Sequence, residues 1–231
     1  MRALLTTLLL LIAGALAPAA HAQKTLPGLT EGVHYRYVEQ GRPYAALAPG
    51  MVEVAEIFAY TCPHCADFAP LLDKWKQSLP KHARLVLVPG VFGRDDAYAR
   101  VFFASQTAKA HSVLHPRLFT AIHERNELPR NASTEQIQAY AGRIQGVNAK
   151  ALATALADDD TLLPKLRYAY EFAQRSQIEG TPALVVAGRY LILGNSYDSL
   201  LANARAVVVA LAPKKPASKA APKPAAVPSR S

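Results

Sequence analysis

Val52-Glu53-Val54-Ala55-Glu56-Ile57-Phe58-Ala59-Tyr60-Thr61-Cys62-Pro63-His64-Cys65 is the stretch on which the reading of this chain turns. Its first nine residues are mostly apolar and rich in the types that favour strands. It ends on Cys62 and Cys65, the only two cysteines in the 231-residue sequence. A C-x-x-C pair can close a small disulfide ring or supply half of a zinc site, but no second pair exists to complete such a site. A strand running directly into Cys-Pro-His-Cys therefore points to a redox dithiol.

The residues between the cysteines favour an oxidant. Pro63 suits the first position of a helix, where its missing N–H is not needed. Cys62 then stands at the helix N-terminus, where free backbone N–H groups and the positive dipole end stabilise a thiolate. His64 adds a cation or an N–H donor beside the sulfur. A stabilised Cys62 thiolate is a good leaving group and favours the reduced dithiol, so the disulfide accepts electrons readily. Cys65, one helical turn further in, is expected to be the less exposed, resolving partner.

The ends of the chain place this chemistry. Arg2, the apolar run Leu4–Leu16 and Ala20-His21-Ala22 have the three-part form of an export signal, cleaved after Ala22 (residues 1–22). An uncleaved anchor is the competing reading; the apolar run is short for a bilayer span. Export leads to an oxidising compartment in which a disulfide persists. The net charge of +9 suggests a nucleic-acid partner, but Arg2, Lys214, Lys215, Lys219, Lys223 and Arg230 supply six of those charges. Removing them leaves +3 for residues 23–212, with no interleaved basic and aromatic pattern, so no nucleic-acid partner is expected. The Ala/Pro/Lys-rich residues 213–231 read as a disordered tail.

Between the ends, Tyr35–Glu39 and Val52–Tyr60 read as strands, Pro63 to about Leu79 as a helix, and Arg84–Val88 as a further strand. Strand–helix–strand is a βαβ unit with a parallel pair. From 96 to 177 the pattern is helical, with turn signals at Ser112, Pro116, Pro129, Gly146 and Asp158–Asp160, and a capping box at Ser133–Gln136. Strands resume at Ala183–Ala187 and Tyr190–Leu193, joined by Gly188-Arg189 as a hairpin, before a last helix at Tyr197–Ala212. The fold class is α/β: a mixed sheet in residues 23–95 and 178–212, interrupted by an all-helical insertion at 96–177. His111 and His115 have the spacing of two metal ligands, but Pro116 places His115 at a helix boundary and no carboxylate follows His111. No metal site is expected.

Two further features accompany the cysteines. Glu56 interrupts a strand that is otherwise apolar at its centre. It is either a buried proton acceptor near Cys65, with a pKa raised by desolvation, or a strand-end acid that reaches water or an arginine. Pro182, just before a strand, cannot join a central ladder, and a cis peptide in a tight turn is one solution.

These residues together resemble the thioredoxin superfamily, and most closely the bacterial periplasmic DsbA-type thiol:disulfide interchange proteins. The likeness covers about residues 30–212 and rests on strand–CPHC–helix, the helical insertion and Thr181-Pro182 before a hairpin. It implies a thioredoxin-like fold, with Cys62 as the attacking and attacked sulfur, Cys65 as the buried resolving cysteine and His64 as the tuner of the thiolate. It further implies that Pro182 is a cis-proline beside the disulfide, that Thr181 pairs through its backbone with an extended substrate, and that Glu56 is the family's buried acid. The activity implied is that of a monomeric periplasmic dithiol oxidase, with no cofactor besides its own Cys62–Cys65 disulfide. It oxidises reduced, unfolded exported polypeptides and is itself reoxidised by a quinone-linked membrane oxidase of the DsbB type. Thr181 in place of valine, and apolar Ala69 and Leu87 in place of charged residues, depart from some members and bear on partner choice. A disulfide isomerase or reductase, or a periplasmic metal- or peptide-binding protein using the dithiol as ligand, are the alternatives.

Overall fold

A computed structural model describes residues 24–93 and 95–213 of the chain. The expected export signal at 1–22, and all but the first residue of the expected tail at 213–231, lie outside the described residues. The chain begins β1 (Tyr35–Tyr37), β2 (Val52–Phe58), α1 (Pro63–Lys76) and β3 (Ala83–Pro89). Five helices follow: α2 (Ala97–Thr107), α3 (His111–His123), α4 (Thr134–Ala141), α5 (Ala149–Leu156) and α6 (Asp159–Arg175). β4 (Ala183–Val186), β5 (Tyr190–Ile192) and α7 (Tyr197–Ala210) close the fold.

The strands form one sheet in the order β1-β5-β4-β2-β3. β2 runs parallel to β3 and antiparallel to β4, so the sheet is mixed and its halves join across the five helices. Strands covered on both faces read as nearly continuous apolar runs; all seven residues of β2 are buried, Glu53 and Glu56 among them. Successive side chains of β2 then divide between two cores. Val52 and Val54 pack with Phe68 and Leu72 of α1 and with Val207 and Val208 of α7. Ala55 and Ile57 join the cluster that contains Ala169 and Phe172 of α6. Phe58 has the parity of Val54 but meets the helical block, with its ring 5.4 Å from Phe102 and 5.2 Å from His115.

Several local expectations shift. The hairpin turns on Ala187-Gly188 instead of Gly188-Arg189: both have positive φ, 50° and 64°, and the Arg189 N–H returns to the Val186 carbonyl at 3.1 Å. A two-residue turn that follows the twist of its strands needs positive φ at both central positions. A Cβ at Gly188 would also lie 2.0 Å from the Arg42 backbone, so glycine is the residue that fits there. Pro116 does not mark a helix boundary. α3 passes through it, because a proline forgoes one hydrogen bond while Leu114, Leu118, Phe119 and Ile122 stay buried along the helix. His115 is thus inside the helix. α1 stops at Lys76, three residues short of Leu79, as Gln77 turns its N–H onto Lys74. Phe68 and Leu72 carry the buried face of α1, while Leu71 is 40% exposed.

Ser133 and Gln136 form the reciprocal capping box expected for α4. Ser133→Ala is expected to cost about 1 kcal/mol of stability, measured as a lower urea midpoint at unchanged slope.

Candidate active site

β2 and α1 deliver the two sulfurs into different surroundings. Cys62 is the N-cap of α1, with φ −84° and ψ 120°, and Pro63 follows at the helix start. Its thiol donates to the Thr181 carbonyl at 3.2 Å, across 119 residues of sequence. Cys65 lies inside the first turn and is fully buried. The Ala59 N–H donates to its sulfur at 3.4 Å, and burial pushes its thiol far above the ordinary cysteine range. One sulfur is within reach of an incoming thiolate and the other is shielded from it.

Glu56 sits in β2 between Leu87 of β3 and Leu184 of β4. It is 3% exposed, and no ion pair among the described residues involves it. Burial, with a smaller effect from the Asp73 charge, pushes its carboxyl up to about 8. A group of that strength changes protonation near neutral pH, as a proton acceptor for a thiol must. The surroundings are those of a buried acid, not of a strand-end carboxylate in water.

The Thr181–Pro182 peptide bond is cis. It lies where two grooves meet. One, of about 700 Å³, is lined by His64, Pro182, Leu193, Tyr197 and Leu200 as well as Thr181. The other, about 910 Å³ and largely apolar, runs from Thr181 past Val91, Phe92, Leu166 and Tyr170. His64 is exposed at the helix start. Its Nδ1 lies 3.4 Å from the Tyr197 hydroxyl, which also donates to the His64 carbonyl at 3.1 Å.

The family model described as Thioredoxin matches residues 48–203. The chain is 33% identical over 192 residues to the thiol:disulfide interchange protein DsbA of Bordetella parapertussis, covering 80% of this chain and 90% of that protein. The chain belongs to the DsbA family. It is a thiol:disulfide oxidoreductase. It is also 29% identical over 192 residues to DsbA of Pseudomonas aeruginosa, covering 82% of this chain and 86% of that one. The crystal structure of the oxidoreductase DsbA from Xylella fastidiosa superposes with a TM-score of 0.72 at 34% identity, over 78% of this chain and 96% of that chain.

Several further residues join this DsbA-family site in the folded protein. Glu53 is 1% exposed, and its carboxylate accepts from the Tyr44 and Ala45 N–H groups, the former at 2.8 Å. It anchors the loop that precedes β2. A second acid three residues before Glu56 in a buried strand was a signal for it. Tyr197 had no signal, because nothing in the pattern of α7 marks a residue that reaches α1. Tyr60 meets His123 across 63 residues of sequence and His115 across 55, and His115 was weighed in the sequence only as a metal ligand. Among the described residues no group of three or more His, Cys, Asp or Glu could hold a metal ion.

Proposed function

We propose that the protein is an exported dithiol oxidase of the periplasm that donates its Cys62–Cys65 disulfide to newly translocated polypeptides. The observation that carries this reading is the unequal placement of the sulfurs: Cys62 at the helix N-terminus beside Thr181, and Cys65 buried. A substrate thiolate attacks the Cys62 sulfur, the bond between Cys62 and Cys65 breaks, and its electron pair leaves on Cys65. That sulfur takes up a proton, since its buried thiolate is strongly disfavoured, and in this reading the buried acid Glu56 exchanges it. A second substrate thiolate then attacks the substrate's own sulfur in the mixed disulfide. Cys62 departs as a thiolate stabilised by the N-terminus of α1. The substrate loses two electrons and the protein gains them.

In this reading Thr181 and Pro182 align an extended substrate backbone, His64 tunes the Cys62 thiolate, and the disulfide itself is the only redox group needed. Reduced protein is returned to the disulfide form by a quinone-linked membrane oxidase of the DsbB type. The protein acts as a monomer, with residues 23–95 and 178–212 as the redox domain and 96–177 as a helical domain inserted into it.

The test is direct. Purified oxidised protein is mixed with a reduced, unfolded protein containing cysteines, and disulfide formation is followed by mass. One disulfide is expected per protein molecule, and none from Cys62→Ser. No transfer, together with tight zinc or copper binding at the pair, would establish a carrier instead.

A further inference from the structure

Tyr60 stands two residues before Cys62 and is held at both ends by histidines of α3. It is 2% exposed. Its hydroxyl is hydrogen-bonded to His115 Nδ1 at 2.7 Å, and its backbone carbonyl accepts from His123 Nε2 at 2.7 Å. A carbonyl only accepts, so His123 carries its proton on Nε2. Eight residues separate the two histidines, which places them on neighbouring parts of one helix face. The His115 ring stands nearly edge-on to Phe58 and Phe119, at 5.2 and 5.4 Å. Burial drives this imidazole down to about 3, so it stays neutral and keeps the Tyr60 bond across the ordinary pH range.

The gripped segment is also the one that positions the buried sulfur. Three successive carbonyls run along it, each with a donor. Phe58 accepts from the Gly90 N–H at 2.6 Å, Ala59 from the Cys62 N–H at 3.1 Å, and Tyr60 from His123. The N–H of the Phe58–Ala59 peptide unit is the donor to Cys65 Sγ. Of the three carbonyl bonds, only the one to His123 depends on a side chain. It is made by the helical block, across 63 residues of sequence. The disulfide exchange itself calls on neither histidine.

We propose that His123 and His115 are positioning residues of the redox pair: by clamping Tyr60 they fix the peptide units that present the Ala59 N–H to the Cys65 sulfur. This rests on the reading of Cys62–Cys65 as a redox couple. An N–H donor favours the reduced sulfur over a disulfide sulfur: the thiol is a weak acceptor but the better of the two, and any thiolate character strengthens the bond further. The clamp therefore stabilises the reduced form and makes the disulfide a stronger oxidant.

Equilibration with glutathione tests this on four proteins: the unaltered chain, His123→Phe, His123→Gln and Tyr60→Phe. Far-UV circular dichroism and a urea melt accompany each. His123→Phe keeps a ring and loses the donor; the equilibrium is expected to shift about fivefold toward the disulfide form, the effect of one hydrogen bond. His123→Gln keeps an N–H at a similar reach and is expected to stay within about twofold of the unaltered chain. Tyr60→Phe removes only the hydroxyl, and a shift in the same direction of about threefold is expected. The clamp is overturned if His123→Phe equilibrates like the unaltered chain, or if His123→Gln shifts as far as His123→Phe. Should His123→Phe fail to fold, Tyr60→Phe decides alone, and an unchanged equilibrium there overturns the proposal. An unaltered chain that oxidises its substrate while the variants equilibrate identically removes the clamp and leaves the oxidase standing. An unaltered chain with no reversible glutathione couple removes both.

Discussion

Cys65→Ser will capture substrates at Cys62 and turn none of them over. The mixed disulfide has two exits: forward, when the substrate's second thiol attacks, and backward, when Cys65 does. Serine closes the backward exit and also removes the bond that stores the oxidising equivalent. Cys62 keeps the helix N-terminus and the Thr181 contact, both of which are independent of residue 65 in their donors and acceptors. When Cys62 of this variant is activated as a mixed disulfide with a small thiol, a substrate with a single cysteine should displace that thiol. The product is a covalent adduct on a non-reducing gel, lost on adding dithiothreitol. Catalytic turnover with a substrate carrying two cysteines should be undetectable. Cys62→Ser should form no such adduct, because the remaining sulfur is fully buried. Turnover by Cys65→Ser at the rate of the unaltered chain would falsify the assignment of roles.

Glu56→Gln will stabilise the fold at alkaline pH and change it little in acid. The carboxyl is held at about 8 in the folded protein, against 4.5 as its ordinary value. Between those limits the folded state keeps a proton that the unfolded state has released. Stability therefore falls as pH rises, by about 1.4 kcal/mol per unit for this one group, and levels off above pH 8. Glutamine has no such proton to lose. Urea unfolding of the two proteins should agree near pH 4 and differ by about 3–5 kcal/mol near pH 9, with the variant the more stable. The same substitution reaches the chemistry. An inflection near pH 8 in the rate of mixed-disulfide release should flatten in Glu56→Gln, and a profile that does not change removes Glu56 from the proton path.

Much of the site was legible because its chemistry is compact in sequence. Four consecutive residues carry both sulfurs, the helix start and the neighbouring imidazole. Glu56 was visible as a charge where a buried strand calls for apolar residues. Glu53 followed the same rule and escaped notice, since its partners, the Tyr44 and Ala45 N–H groups, belong to a loop with no pattern of its own. The turn at Ala187-Gly188 was misplaced by one residue because alanine gives no hint of positive φ. Pro116 misled for a different reason: a local preference for ending a helix was outweighed by burial of the apolar residues around it.

The amino-acid sequence by itself determined the Cys-x-x-Cys pair at the start of a helix, the alternation of strands and helices, and the thioredoxin-like class, because each follows from residue type and short-range spacing. Only the tertiary structure decided which groups surround the sulfurs. Thr181 meets Cys62, Tyr197 meets His64, and His115 and His123 close on Tyr60, through contacts that span between 55 and 133 residues. Such contacts arise when the sheet closes across the helical block, and no local periodicity encodes them. Spacing identifies the two sulfurs; long-range packing sets the burial, donors and acceptors around them.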